Sequence, residues 1–329
     1  MDQPAMTTST WITTRVGPLQ VHVTGSGPPA LLWHSLFVDS TTWDRLVPRL
    51  AVDRRLVLVD GPNHGANPRR RTSFSLDDCV GAAVDVLDHL SIDQPVDWLG
   101  NAWGGHVGIL FAAAHPDRCR TVMAIGAPIP ALRAGERRRI QLLAALFLVG
   151  GPRPVLRPLL DALVGNATRA EDPDGAAIVA NAFTRAGHLG MYDAVRWLSL
   201  RRPDLTPVLE RLDTPTLLVT AKTDPMWTIS AARAAAAHLR HGTIAILPGT
   251  GHIGPLLAAT PEAAELISAF WREPGSTIAA QQAMSGARRS SAPTFLTRIV
   301  LPDQDRANPY PPVVNPPTAA AISQTGVQE

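Results

Sequence analysis

The chain has 329 residues, 45% of them hydrophobic and 18% charged, with a formal net charge of +2. That length and apolar content allow a large core in one or two domains. Near-balanced charge gives no footprint for nucleic acid or a membrane surface, and two cysteines are too few for a disulfide framework or a zinc site.

Residues 1–10 are polar and lack an apolar stretch, which predicts a flexible N-terminus without a signal peptide. Trp11–Arg15 and Leu19–Val23, joined around Gly17-Pro18, predict an opening antiparallel hairpin. Ala30–His34 predicts the first strongly buried strand and Leu56–Asp60 the next, followed by the turn Gly61-Pro62-Asn63-His64-Gly65. Leu76–Leu90 has helical periodicity and an acidic start at Asp77 and Asp78. Val96–Leu99 predicts a strand, and Trp103–His115 a helix stopped by Pro116. Thr121–Ile125, Thr216–Thr220 and Thr243–Leu247 are further strands. An alanine-rich helix, Ser230–Leu239, separates the last two, and Pro261–Trp271 is a final helix with proline in its first turn.

This alternation predicts an α/β fold with an eight-stranded, mostly parallel sheet. The strand rhythm stops between Pro128 and Leu205. The expected organisation is therefore a core from 11–127 and 206–272 with an inserted helical cap at 128–205. Residues 273–329 turn to Pro, Ser, Ala, Gln and Thr and are expected to be a disordered tail, in which Thr294–Leu301 could dock weakly. Arg69-Arg70-Arg71 and Arg137-Arg138-Arg139 read as solvated faces, and no apolar run is long enough to span a bilayer. Cys79 and Cys119 read as buried small hydrophobes, which fits a reducing cytoplasm. The expected partner is a small molecule, with no nucleic acid, membrane, cofactor or metal, and the oligomeric state stays open.

The chemistry concentrates in three places. Gly100-Asn101-Ala102-Trp103-Gly104 lies between a strand and a helix, where G-x-S-x-G would form a sharp turn presenting a nucleophile. Ala102 has no atom able to attack. His252, in a glycine-rich loop after the last strand, is the candidate base. Asp224, 28 residues earlier and just after the preceding strand, is the candidate acid that orients it. Backbone amides of Trp103 and Leu36 are the candidate oxyanion hole. His34, Ser35, Phe37, Asn101 and Ile253 are expected around the pocket, with Trp103 and Phe37 forming an apolar wall. His34 and His64 are expected to be hydrogen-bonded to loop backbone, and His106 reads as packing.

In these residues the chain resembles the α/β-hydrolase superfamily. It is most similar to the capped branch that includes enol-lactonases, meta-cleavage-product hydrolases, haloalkane dehalogenases and epoxide hydrolases. The resemblance covers about Trp11 to Trp271 and rests on His34-Ser35, Asp60-Gly61-Pro62-Asn63-His64-Gly65, the elbow, Asp224 and His252. It implies a hydrolase of a small apolar ester, lactone or C–C-cleavable substrate. Ala102, Ser35, Asn63 and Ala66-Asn67 depart from the family pattern. Three readings of Ala102 stay open. The chain could be a serine enzyme disabled by one substitution, a protein whose His252–Asp224 dyad works without a covalent nucleophile, or a pseudoenzyme that binds a ligand or partner. The further departures favour a natural origin, because an engineered change would alter one residue.

Overall fold

A computed structural model of the chain describes residues 7–258 and 260–287. Its strands are β1 (Thr8–Thr14), β2 (Gly17–Thr24), β3 (Pro29–Trp33), β4 (Arg55–Val59), β5 (Val96–Asn101), β6 (Cys119–Ile125), β7 (Thr216–Thr223) and β8 (Gly242–Thr250). They form one sheet in the order β1-β2-β4-β3-β5-β6-β7-β8. β1 pairs antiparallel with β2, and β2 with β4; every later pairing is parallel. This is the α/β sheet of eight mostly parallel strands that the sequence pattern predicts.

Parallel strands are covered on both faces, so they read as continuous apolar runs. β3 is buried at every position. Its alternate side chains go to opposite faces: Leu31 and Trp33 join Val57, Val59 and Trp98, whereas Ala30 and Leu32 join Leu56, Leu58 and Leu99. The first of these faces is covered by α1 (Leu76–His89) and α2 (Trp103–Ala114). Ser75 starts α1 with a capping box, its hydroxyl accepting the Asp78 amide while the Asp78 carboxylate accepts the Ser75 amide.

Between β6 and β7 the chain is helical, with no strand among the described residues. It forms α3 (Ala134–Gly150), α4 (Arg153–Leu163), α5 (Asn166–Glu171), α6 (Pro173–Arg185), α7 (His188–Ala194) and a π-helical turn at Val195–Ser199. These helices share a small apolar cluster of Phe147, Val155, Phe183, Ala186 and Met191, against which Phe37 packs. Three charge pairs tie them to the segments after β3 and β4, one of them Arg45 with Asp172 at the start of α6. Arg69 donates twice to Asp193, at 2.9 and 2.7 Å, and Arg185 donates to Asp39 at 3.0 Å. Arg69 stays exposed, as its run predicts, and also pairs with Asp193, of which the sequence gives no sign.

α8 (Ile229–Ala236) joins β7 to β8, and α9 (Thr260–Arg272) covers the second face through Ile267, Phe270 and Trp271. Two boundaries are corrected. β1 begins at Thr8, inside the stretch expected to be flexible, because Thr8 and Thr10 pair with Val23 and Val21; β-branched residues suit such pairing. Residues expected to open a disordered tail instead form α10 (Pro274–Ala287). Ile278 is buried against the α9 face, and Gln282 Nε2 donates to the Gly242 carbonyl at 3.1 Å. One buried isoleucine and a run of helix-forming residues suffice here, which composition averaged over the whole segment conceals. The remainder of the expected tail, including Thr294–Leu301, lies outside the described residues.

Candidate active site

β4 and β5 flank β3 on opposite sides, so the sheet order reverses there, where open α/β sheets place their ligand crevice. β3 and β5 run side by side with Trp33 opposite Gly100. The loops after the two strands are therefore neighbours. Ala102 sits between β5 and α2 at φ 51°, ψ −113°, a conformation costly for a residue with a Cβ. Its amide donates to the Ile125 carbonyl at 2.8 Å, and its carbonyl accepts the amides of Gly105 and His106 at 2.9 and 3.1 Å. The chain thus reverses within one residue. A Cβ on Gly100 would overlap the Gly104 backbone, and one on Gly104 would overlap the Trp33 carbonyl. Gly104→Ala is expected to lower stability by about 3 kcal/mol, measured as a urea midpoint. Gly135→Ala is the control, because its new Cβ meets nothing within 4 Å.

Asp224 and His252 follow β7 and β8. Asp224 Oδ2 accepts from His252 Nδ1 at 2.8 Å, and Asp224 Oδ1 accepts the amides of Met226 and Trp227 at 2.8 and 3.1 Å. Both carboxylate oxygens are engaged, so the side chain cannot rotate away. The proton resides on Nδ1, which leaves Nε2 as the free acceptor. The imidazole lies against Gly126, where a Cβ would come within 3.2 Å of its Cε1 and Nδ1. The preceding Ile125 carbonyl holds both the Ala102 amide and Asn101 Nδ2. Asn101 Nδ2 also reaches the His252 carbonyl at 3.5 Å. The dyad and the elbow therefore share one scaffold. His252 and Ala102 are 5% and 8% exposed, so neither is sealed from solvent.

The histidine loop has a second support that sequence reasoning missed. The His252 and Ile253 amides donate to the carbonyls of Ala162 and Leu163 at the end of α4, at 3.3 and 2.7 Å. The hydroxyls of Thr168 and Thr250 meet at 2.6 Å. Backbone bonds between distant segments leave no motif, and isolated threonines carry no signal.

The Trp103 amide opens α2, where the first N–H groups lack helical partners and carry the positive end of the helix dipole. Neither this amide nor that of Leu36 donates a hydrogen bond among the described residues. The next residue, Phe37, has φ 75°, another strained position at the same crevice.

The Trp103 side chain does not wall the space over Ala102. It is buried on the α2 side of the sheet, edge-on to Trp33 at 5.6 Å and stacked on His64 at 5.3 Å. Its place at the first position of α2 points it down into the core. Among the expected pocket residues Phe37 is half-buried, whereas His34, Ser35, Asn101 and Ile253 are buried. His34 Nδ1 donates to the Ser35 carbonyl at 2.7 Å, and its Nε2 accepts the Gly61 amide at 2.9 Å. With both nitrogens committed to backbone, His34 shapes the loop and offers nothing to a ligand.

Burial pushes the His34 imidazole down to about 4 and that of His64, with His34 beside it, to about 3. His106 is held well below the ordinary histidine range by burial and then by the Arg202 guanidinium, which lies 3.0 Å from its Nε2. Burial also raises the Cys79 and Cys119 thiols. These groups stay neutral near pH 7. Among the described residues no three His, Cys, Asp or Glu side chains are grouped to hold a metal ion.

A family model described as the alpha/beta hydrolase fold matches residues 28–259. The chain belongs to this family. It is 36% identical over 110 residues to the 2-hydroxymuconate semialdehyde hydrolase of Pseudomonas sp. (strain CF600), a match covering 32% of this chain and 38% of that one. The chain spans well under half the length of the first curated relatives it matches. A thermophilic esterase from Thermogutta terrifontis superposes with a TM-score of 0.75 at 20% identity, over 82% of this chain and 99% of the other. The enol-lactonase from Burkholderia xenovorans LB400 superposes with a TM-score of 0.74 at 18% identity, over 80% and 100%. At such identities the superpositions establish the shared α/β-hydrolase fold and nothing finer.

Proposed function

We propose that this member of the family is a slow hydrolase of a small, largely apolar ester, lactone or C–C-cleavable substrate, working without a covalent intermediate. The observation that carries the reading is the His252–Asp224 pair, which keeps its 2.8 Å bond beside an elbow that has lost its nucleophile. For an ester, a water held beside Ala102 attacks the carbonyl carbon while His252 Nε2 takes its proton. The tetrahedral oxyanion is met by the Trp103 and Leu36 amides. As the intermediate collapses, the leaving alkoxide takes the proton back from His252. The 2-hydroxymuconate semialdehyde hydrolase among the curated relatives supports this substrate range. The helices between β6 and β7 act in this reading as a cap that shapes the pocket. The two buried thiols fit a cytoplasmic setting; no described helix is long and apolar enough to cross a membrane.

A panel of aryl esters and lactones tests the proposal. Turnover is expected above background and should fall about 10²-fold or more in Asp224→Asn, which removes the acceptor that fixes the histidine. Ala102 itself favours a second reading, a ligand-binding protein without turnover. Ligand binding with no product, unchanged by Asp224→Asn, would put that reading in its place.

A further inference from the structure

Among the described residues, half of the large apolar side chains that folding leaves exposed lie on one helix. Along α3, Leu142, Leu146 and Val149 are 67%, 47% and 89% exposed. Their spacing of i, i+4 and i+7 puts them on one face. Exposed Arg138 and Arg139 extend that face one turn towards the N-terminus. The opposite face is anchored by Phe147, which stacks on Phe183 at 5.2 Å. The leucines are therefore turned outward by a well-packed helix.

Charge decides what such a face can meet. Residues 133–157 contain six arginines and one acid, Glu136, an excess that the whole-chain charge of +2 conceals. A cleft of about 320 Å³ opens beside α3, lined by Arg137, Gln141, Tyr192, Arg196 and Arg201 among others, with no acidic side chain in its lining. One surface thus offers an apolar strip and, next to it, several guanidinium groups able to hold phosphate oxygens.

We propose that α3 docks this protein on an anionic phospholipid bilayer. Leu142, Leu146 and Val149 enter the boundary between headgroups and acyl chains, while Arg138, Arg139 and the arginine cleft engage the headgroup phosphates. α3 has 17 residues and begins with a run of arginines, so it lies along the interface and does not cross it. A second copy of the chain is a poorer occupant, since symmetric pairing would bring two arginine-rich surfaces together. Residues 288–329 hold four arginines against three acids and offer no negative charge to match. The proposal does not depend on the chemistry at Ala102.

Co-sedimentation of the full chain with phosphatidylcholine vesicles, plain or containing about 30% phosphatidylglycerol, tests it. Binding to the anionic vesicles is expected to be at least roughly tenfold tighter and to weaken in about 0.5 M salt. Inorganic phosphate, which supplies the anion without the apolar layer, should not displace the protein. Leu142→Asp with Leu146→Asp should abolish sedimentation, and Arg138→Glu with Arg139→Glu should equalise the two vesicle types. Val149→Asp is the milder alternative should the double leucine variant lose its circular dichroism signal. Absent or equal vesicle binding by the parent chain would overturn the proposal, as would binding retained in the aspartate variants. A parent dimer that the aspartate variants convert to monomer, with no vesicle binding, would overturn it too and assign the face to self-association.

Discussion

Ala102→Ser is expected to raise ester hydrolysis on the order of 10³-fold or more over the parent chain. The strained backbone of the elbow is already in place without the hydroxyl. Backbone bonds to Ile125, Gly105 and His106 fix Ala102 at φ 51°, and none of them involves the missing hydroxyl. The new oxygen would stand on a Cβ that already exists. His252 Nε2 is left to accept its proton, because Asp224, itself held by two amides, takes up the Nδ1 side of the imidazole. A covalent serine replaces one difficult attack by water with two easier steps, and the same dyad serves both. Adding His252→Ala to Ala102→Ser should remove the gain, and a serine-directed phosphonate should label Ala102→Ser and leave the parent chain unlabelled. A serine variant that is neither labelled nor faster than its parent would show that the pocket no longer aligns a carbonyl with the elbow. The dyad would then be a relic, and ligand binding the better account.

Local pattern made much of this legible. Buried parallel strands announce themselves as unbroken apolar runs, so β3, β5, β6 and β7 can be read directly, and the order of elbow, acid and histidine follows from which strand each residue closes. What stayed hidden depends on segments far apart in sequence. The bonds from Ala162 and Leu163 to the histidine loop involve only backbone atoms. Arg69 looks like any member of a basic run until Asp193 is placed opposite it. Asp97 is a carboxylate buried within β5. It is held by Thr121 at 2.6 Å and paired with Arg120 and Arg54, whose charges come from two other segments. Trp103 reads as a pocket wall because it adjoins Ala102, yet the first residue of a helix can turn its side chain into the core, where Trp103 packs on Trp33 and His64. Adjacency in sequence says nothing of where the indole goes.

Acid is expected to unfold the chain as pH falls from about 6.5 towards 4, with His34, His64 and His106, all held down by burial, as the principal causes. His34 is bonded as a neutral ring. Its Nδ1 donates to Ser35, and its Nε2 accepts from Gly61, so a second proton would set two N–H groups against each other. His64 donates from Nδ1 to Pro62 and leaves Nε2 buried without a partner, 4.9 Å ring to ring from His34. Both imidazoles are therefore held below the unfolded value of about 6.5, at about 4 and about 3. Below pH 6.5 the unfolded chain takes up protons that the folded chain refuses, so stability falls with pH. The stabilisation is complete above that value and is lost as pH drops towards each folded value, costing about 3 kcal/mol by pH 4 from His34 alone. Two such losses are comparable with the whole stability of an ordinary domain. Burial and the neighbouring Asp39 push the Asp60 carboxyl up, so it protonates earlier in the folded state and offsets part of the loss. Urea midpoints at pH 7.5, 6, 5 and 4.5 should therefore fall steadily, and His64→Phe, which keeps a ring stacked on Trp103 but cannot titrate, should flatten the slope by close to one proton. Equal slopes in the parent and His64→Phe, or a midpoint that does not move across the range, would mean that the two rings take up protons without breaking the loop, contrary to the bonding that holds it.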